Sequence, residues 1–394
     1  MLSSTRLLLS SLLLACSIVK TVARIPVVGI LAQPLHDATQ DYIASSYMKW
    51  CEAGGATTIA IPYNSTDVTV YDALLDQMDG LLLPGGAAPL SAGVVYLLDR
   101  IRHFNTKSGT YFPVWGTCLG KFSLSLLSEE LQFTISGSAV CLGDNIILSS
   151  QLCVLPICLG FEFLIEYMME DALETGFIAS NVSWPLEQVG RRELYADEQI
   201  YMTVSQQNLT LNNHVQGIRP EVFAADTVLP NYWHVTSINH DERGIPFVST
   251  IEPIDADAFP VYGVQYHPEK NAFEYGINKD GGPYEAINHS PAAIDFSMHL
   301  AAFWISKVRR AAEQRSFPDC GKRCVPPLYS FPIQSGQAFE QIHLIPKDYP
   351  STMDLAVTEP RRRTQSTMAA RRTKKAHNRG RKRKLRGKLH HLKH

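Results

Sequence analysis

Three pieces of the sequence decide the fold: IPVVGI (Ile25–Ile30), YIASSYMKWCEAGGA (Tyr42–Ala56) and TTIAIP (Thr57–Pro62). The first is a short apolar run of the kind that forms a buried strand. The second spaces its apolar residues as a helix does and stops at Gly54-Gly55, and the third is a strand again. Outward from there, Tyr71–Met78 predicts a short helix, GLLLP (Gly80–Pro84) a strand and Pro84-Gly85-Gly86 a sharp turn. A helix is expected around Val94–Asn105, followed by the strand YFPVWG (Tyr111–Gly116). Much later, FPVYGVQYHPEK (Phe259–Lys270) reads as a strand entering a turn, and Ala292–Arg310 as a helix. Strands alternating with helices at this spacing predict an α/β three-layer sandwich, a central mostly parallel sheet covered on both faces. Reactive groups in such folds gather at the carboxyl ends of the strands.

Gly116-Thr117-Cys118-Leu119-Gly120 stands at one such end. The G-x-C-x-G pattern is the cysteine form of a nucleophile elbow, in which small residues permit a tight strand-to-helix turn that lifts the thiol off the sheet. A helix N-terminus and a nearby imidazolium both favour the thiolate. The N–H of Leu119, with one from the turn at Gly85 and Gly86, is expected to form an oxyanion hole. His267 closes a later strand two residues before Glu269, a carboxylate placed to orient the ring. The competing readings are a buried, inert thiol for Cys118 and a surface turn histidine for His267. From these residues alone the chemistry is acyl transfer by a cysteine.

Composition sets the surroundings. Arg6 precedes an apolar run, Leu7–Val19, and small residues follow at Thr21-Val22-Ala23, so residues 1–23 read as a secretory signal peptide. The run is shorter than the roughly 20 residues needed to span a bilayer. Sequons at Asn64, Asn181, Asn208 and Asn288 point to a glycoprotein of the secretory pathway, in a lysosome, vacuole or the extracellular space, although Pro291 weakens the last one. Of the 36 Lys and Arg, 15 lie in residues 361–394, which contain no acid, so residues 1–360 carry a net −17. An acidic body argues against nucleic acid as a partner. The basic tail within 347–394, including KKAHNRGRKRK, reads as a disordered, solvated arm or as a gene-model error. Of the eight cysteines, Cys16 falls in the leader, and seven is an odd number, so one thiol is expected to stay free. Cys320 and Cys324 can pair with each other or elsewhere, and no accompanying His or Cys pair suggests a metal site.

VWGTCLG, YGVQYHPEK, GLLLPGG and YIASSYMKWCEAGGA resemble the corresponding segments of the gamma-glutamyl hydrolase family, within the class I glutamine amidotransferase-like superfamily. The resemblance spans roughly residues 24–346. It implies hydrolysis of gamma-linked glutamate chains, chiefly on folate poly-γ-glutamates, through an acyl-enzyme intermediate and without a cofactor. It implies Cys118 as nucleophile, His267 as proton acceptor and donor, Glu269 as its partner, and Glu162 and His214 near the substrate. It also admits a homodimer. For His214 the alternative is a solvent-facing loop histidine.

One segment departs from the pattern. The helix that follows the elbow in the family begins Leu-Gly-Phe-Glu, whereas here Gly120 is followed by Lys121, and CLGFEFLIEYMMED appears only at Cys158–Asp171. Deleting residues 121–160 would join GTCLG to FEFLIEYM, so these forty residues read as an in-frame insertion, such as a translated intron, or as part of a genuine isoform. In the latter case Cys158 is an alternative nucleophile, although Pro156 replaces its elbow glycine and fixes φ where the turn needs freedom. The alternative to an active hydrolase is an isoform that keeps the fold with a disrupted elbow.

Overall fold

The computed structural model describes residues 24–35, 40–86, 88–118, 160–317, 324–336 and 339–350. The expected leader, Leu119, Cys158, Cys320, most of the insertion and most of the basic tail lie outside the described residues. In chain order the elements begin with β1 (Val27–Leu31), β2 (Gln33–Pro34), β3 (Gln40–Ala44), α1 (Ser45–Ala53), β4 (Thr57–Ile61) and α2 (Thr69–Leu75). They continue with β5 (Gly80–Leu83), α3 (Ala92–His103), β6 (Val114–Thr117), α4 (Phe161–Met168), β7 (Glu174–Trp184) and β8 (Glu187–Gln188). Then come α5 (Glu198–Gln206), β9 (Thr210–Gly217), α6 (Pro220–Ala225), β10 (Trp233–His240), β11 (Pro246–Pro253) and β12 (Val261–Val264). The last are α7 (Lys270–Phe273), α8 (Pro291–Gln314), β13 (Ile333–Ser335) and β14 (Gln341–Pro346).

Eight strands form the central sheet in the order β4-β1-β5-β6-β12-β11-β10-β8. The first five run parallel, as the strand–helix alternation requires, and the other three are antiparallel additions. Trp115 of β6 packs between Trp50 of α1 and Trp304 of α8, with tilted rings whose centroids are 5.4 and 6.0 Å apart, so α1 and α8 cover one face. Gly116 must point the other way, because side chains alternate along a strand. There it meets α4: a Cβ on Gly116 would lie 2.7 Å from Leu164 Cδ1. Gly263, in register with Gly116 on β12, is in the same position, its Cβ site 2.9 Å from the Phe161 ring. Two glycines side by side thus seat α4 against the sheet.

The sequence reading of Tyr42–Ala56 needs one correction. Its first three residues belong to β3, and the helix starts at Ser45. The reason lies about 300 residues away, where β14 pairs antiparallel with β3 from Ile342↔Ala44 to Pro346↔Gln40. Local periodicity does not see that partner. β3 and β14 are the centre of a second, four-stranded sheet, β13-β14-β3-β2, and β7 and β9 form a separate ribbon. Among the described residues no helix is long and apolar enough to cross a membrane.

Arg24 fastens the beginning of β1. Its guanidinium grips the fully buried Asp79 with bonds of 2.7 and 2.6 Å, and Asp79 also accepts the Val27 N–H at 2.9 Å. Removing the cation leaves a buried carboxylate unpaired. Arg24→Ala is expected to lower unfolding stability by about 2 kcal/mol, below the usual range for buried pairs because the arginine itself is partly exposed. A urea titration of both chains checks this, and an unchanged midpoint would contradict it.

Candidate active site

β6 delivers Cys118 to the carboxyl edge of the sheet, where its N–H donates to the Val264 carbonyl at 2.7 Å. β12, the next strand, continues through Gln265 and Tyr266 to His267, whose N–H donates to Leu211 O of β9 at 2.9 Å. The described chain resumes at Gly160, and that residue lies against Thr117. Gly160 has φ +69°, and a Cβ there would sit 1.9 Å from Thr117 O, so only glycine fits. The helix that the sequence writes forty residues late therefore starts beside the end of β6. Glu162, in its first turn, is buried and accepts from Gln265 Nε2 at 3.1 Å, and the same nitrogen lies 3.9 Å from Cys118 Sγ.

Cys118, His267 and Glu269 are all buried and adjacent. His267 Nδ1 is 2.8 Å from Glu269 Oε1, which leaves Nε2 as the ring nitrogen for the thiol. Burial works against a charge on this ring. The Cys118 sulfur and the Glu269 carboxylate outweigh it and push the pKa of His267 up to about 10. The arrangement therefore favours an imidazolium beside the sulfur at neutral pH.

Two residues that sequence reasoning passed over hold this group. The Tyr47 hydroxyl accepts the Gly85 N–H at 2.7 Å, lies 3.4 Å from His267 Nδ1 and hydrogen-bonds Glu269. Gln33 donates to the Gly85 carbonyl and fills the space beside Gly86, where a Cβ would lie 1.5 Å from its Oε1. Gly85 itself leaves no room for a side chain, its Cβ site being 2.7 Å from His267 Cε1. The Gly85 N–H, bound to Tyr47, is therefore not available to an oxyanion, and Gly86 is the amide of that turn left for the role. A periodic pattern marks Tyr47 as a core residue of a helix and gives no sign of its hydroxyl's partners.

His214 is neither in a loop nor exposed. It sits on β9, fully buried, with Nδ1 2.7 Å from the Gln216 carbonyl and its ring edge-on to Phe247 at 4.7 Å. Since a carbonyl only accepts, Nδ1 carries the hydrogen, and Nε2 is an acceptor with no partner among the described residues. Burial, reinforced by the charge on His267, lowers its pKa to about 4, against a smaller raising effect of the Gln216 bond. Nearby, the buried Lys270 pairs with Glu285, which also accepts from Asn213 Nδ2 at 2.6 Å. One carboxylate thus ties the neighbour of Glu269 to the neighbour of His214. No group of three or more His, Cys, Asp or Glu among the described residues is placed to hold a metal ion.

The Peptidase C26 family matches residues 26–94, and the class-I glutamine amidotransferase family matches residues 140–278. Gamma-glutamyl hydrolase of Homo sapiens is 28% identical over 335 residues, covering 82% of this chain and 90% of the relative. The Mus musculus enzyme is 28% identical over 332 residues, 81% and 89% of the two chains. Gamma-glutamyl hydrolase B of Dictyostelium discoideum is 27% identical over 306 residues, 75% of each. Over most of its length the chain is similar to gamma-glutamyl hydrolases. The two family matches leave residues 95–139 between them, a stretch that holds Cys118 and the first part of the forty residues by which this chain departs from the pattern.

The two histidines are expected to titrate on opposite sides of neutrality. With 13C-labelled histidine, the His267 resonance should hold its protonated position through pH 7 and move only toward pH 10, and His214 should stay neutral down to about pH 4. Glu269→Gln removes one of the attractions on the imidazolium and should lower the His267 midpoint. A His267 midpoint near 6.5 in the unaltered protein would contradict the assignment.

Proposed function

We propose that this chain is a cysteine-type omega peptidase that hydrolyses γ-glutamyl bonds of folate poly-γ-glutamates. The observation that carries the reading is the buried line Cys118–His267–Glu269 at the carboxyl end of two parallel strands, in a chain similar to gamma-glutamyl hydrolases. In the proposed reaction the Cys118 thiolate attacks the γ-carbonyl carbon, and the amide's electron pair moves onto oxygen. The N–H groups of Gly86 and Leu119 receive that charge. His267 gives its proton to the departing amine as the C–N bond breaks, leaving a γ-glutamyl thioester. The ring, now neutral, takes a proton from water as it attacks the thioester, and the C–S bond breaks to release the acid product and restore the Cys118 thiolate beside the imidazolium. Glu269 and Tyr47 hold the ring through both halves. Neutral His214 presents an acceptor at Nε2 and suits a substrate N–H, and Glu162, joined to Cys118 through Gln265, lines the same centre.

Residues 121–160 are best treated as an insertion into the elbow. Cys118 and Gly160 lie where consecutive elements of an uninterrupted turn would lie, which favours Cys118 over Cys158 as nucleophile. The leader and sequons support a location in the secretory pathway, in a lysosome, vacuole or outside the cell. Asn64, Asn181 and Asn208 are exposed, whereas the Asn288 side-chain nitrogen already donates to Asn208 O at 2.7 Å. Cys324 is disulfide-bonded, in keeping with an oxidising compartment. We place residues 351–394 outside the working unit.

Purified chain is expected to release glutamate from pteroyl-γ-diglutamate, and Cys118→Ala to reduce kcat at least ~1,000-fold. Cys158→Ala and removal of 361–394 should leave the rate unchanged, and deletion of 121–160 should preserve or raise it. Activity surviving in Cys118→Ala would exclude this nucleophile. An inactive full chain whose shortened form is active would identify the isoform with a disrupted elbow.

A further inference from the structure

Between β8 and α5 the chain makes a turn, Glu193-Leu194-Tyr195, that is fastened to three elements at once. Leu194 and Tyr195 are fully buried. The Leu194 carbonyl accepts from His299 Nε2 of α8 at 3.2 Å, and the exposed Glu193 carboxylate takes Lys307 of α8 at 3.1 Å and the Tyr262 hydroxyl of β12. The Leu194 N–H donates to Glu252 Oε2 of β11 at 3.0 Å. That carboxyl is the unusual partner. Glu252 is 1% exposed, forms no ion pair among the described residues, and its Oε1 is buried without a hydrogen bond of ordinary geometry.

The groups that face Glu252 do not supply a cation in contact. Its turn brings Glu193, a like charge, and Arg192, whose guanidinium is spent on the Pro253 and Ile254 carbonyls at 3.5 and 3.4 Å. β10 sets the Thr236 hydroxyl toward it and His234 in register with it, β12 adds the Tyr262 and Tyr266 hydroxyls, and α8 brings His299 and Lys307 to the turn rather than to the carboxyl. Burial therefore favours the protonated acid. With the Glu193 charge added, it raises the pKa of Glu252 from 4.5 to about 7, over the opposing effects of the Leu194 N–H, Thr236 and Arg192. The same turn reaches toward the reaction centre. The Tyr195 hydroxyl hydrogen-bonds Thr250 Oγ1 at 2.9 Å and the Tyr266 hydroxyl at 2.8 Å, and Ser237 Oγ donates to Thr250 Oγ1 at 2.7 Å, all four residues being buried. Tyr266 immediately precedes His267, and its ring packs on Phe296 of α8.

We propose that Glu252 is a proton-controlled positioning residue: protonated, it lets the turn at 193–195 close so that Tyr195 steadies the strand carrying His267, and ionised, it draws in water and releases the turn. The proposal rests on the hydrolytic reading of Cys118 only for its effect on rate. A solvated carboxyl gives up its proton near 4.5 and the closed one near 7, so the open turn binds fewer protons between those values. Opening therefore becomes about tenfold easier for each pH unit in that interval and levels off above it. His214 and His267, with midpoints of about 4 and about 10, titrate outside the interval.

The test compares the full chain with Glu252→Gln, which keeps the shape of the protonated acid and cannot ionise. In the unaltered chain, hydrogen exchange at the Leu194 amide, corrected for its intrinsic pH dependence, should accelerate about a hundredfold between pH 4.5 and 7. Over about pH 5 to 8, kcat for pteroyl-γ-diglutamate should fall about tenfold. In Glu252→Gln both should stay level. Tyr195→Phe, which cuts the link to Tyr266 and leaves Glu252 in place, should lower kcat in acid to the value the unaltered chain has in base, with the Leu194 exchange profile unchanged. Level Leu194 exchange in the unaltered chain would overturn the proposal, whether or not the variants fold. So would the same fall in kcat in Glu252→Gln, or a kcat that ignores a pH-dependent Leu194 exchange, which would leave Glu252 a structural role only. If the chain hydrolyses nothing, the hydrolase reading falls and the 13C ring resonance of Tyr266 decides: it should shift across the same interval in the unaltered chain and not in Glu252→Gln, and no shift would overturn the link.

Discussion

The structure depends on how closely α4 approaches the sheet. Gly116 and Gly263, paired across β6 and β12, remove two side chains where the helix rests, and Gly160 provides the left-handed turn that starts it. Any Cβ at these points would drive the helix outward and carry Glu162 away from Gln265 and the sulfur. The glycines act together because each relieves a different contact, with Leu164, Phe161 and Thr117 respectively. Close packing of this kind explains how the helix keeps its place although its connection to β6 is forty residues longer than the turn requires. The cost of a long connection rises only slowly with length, and the contacts at both ends do not depend on it.

Around that seat, buried charge is arranged in pairs. Glu269 serves His267 and Tyr47, and Glu285 serves Lys270 and Asn213. Each carboxylate offsets the burial of a cation and also fixes a neighbouring segment. His214, lacking such a partner, stays neutral. Two imidazoles a short distance apart thus take opposite protonation states because one has a carboxylate and a sulfur beside it and the other a carbonyl and a phenyl ring.

Much of this was legible in the sequence. The strand–helix alternation from Ile25 to Gly116 indicates the parallel sheet, and FEFLIEYM reads as the helix that belongs after the elbow, although the sequence alone does not say that it docks there. Three kinds of feature were not legible. β3 looked helical because its partner, β14, lies at the other end of the chain. Tyr47, Gln33 and Gln265 looked like ordinary core or polar residues because what distinguishes them is where their polar atoms point. The antiparallel strands β8, β10 and β11 carry weak alternation, and the first of them is a two-residue strand, Glu187–Gln188, that is too short to leave a period.

The pairing of β14 with β3 has a consequence for biosynthesis. β3 leads directly into the helix that carries Tyr47, and its neighbour in the sheet is the last described strand to be translated. Contacts of such sequence separation form late. A nascent chain therefore carries Cys118 and His267 before it holds the strand that completes the sheet beside α1. The enzyme is born unfinished, and its maturation is timed by the emergence of its own C-terminal hairpin.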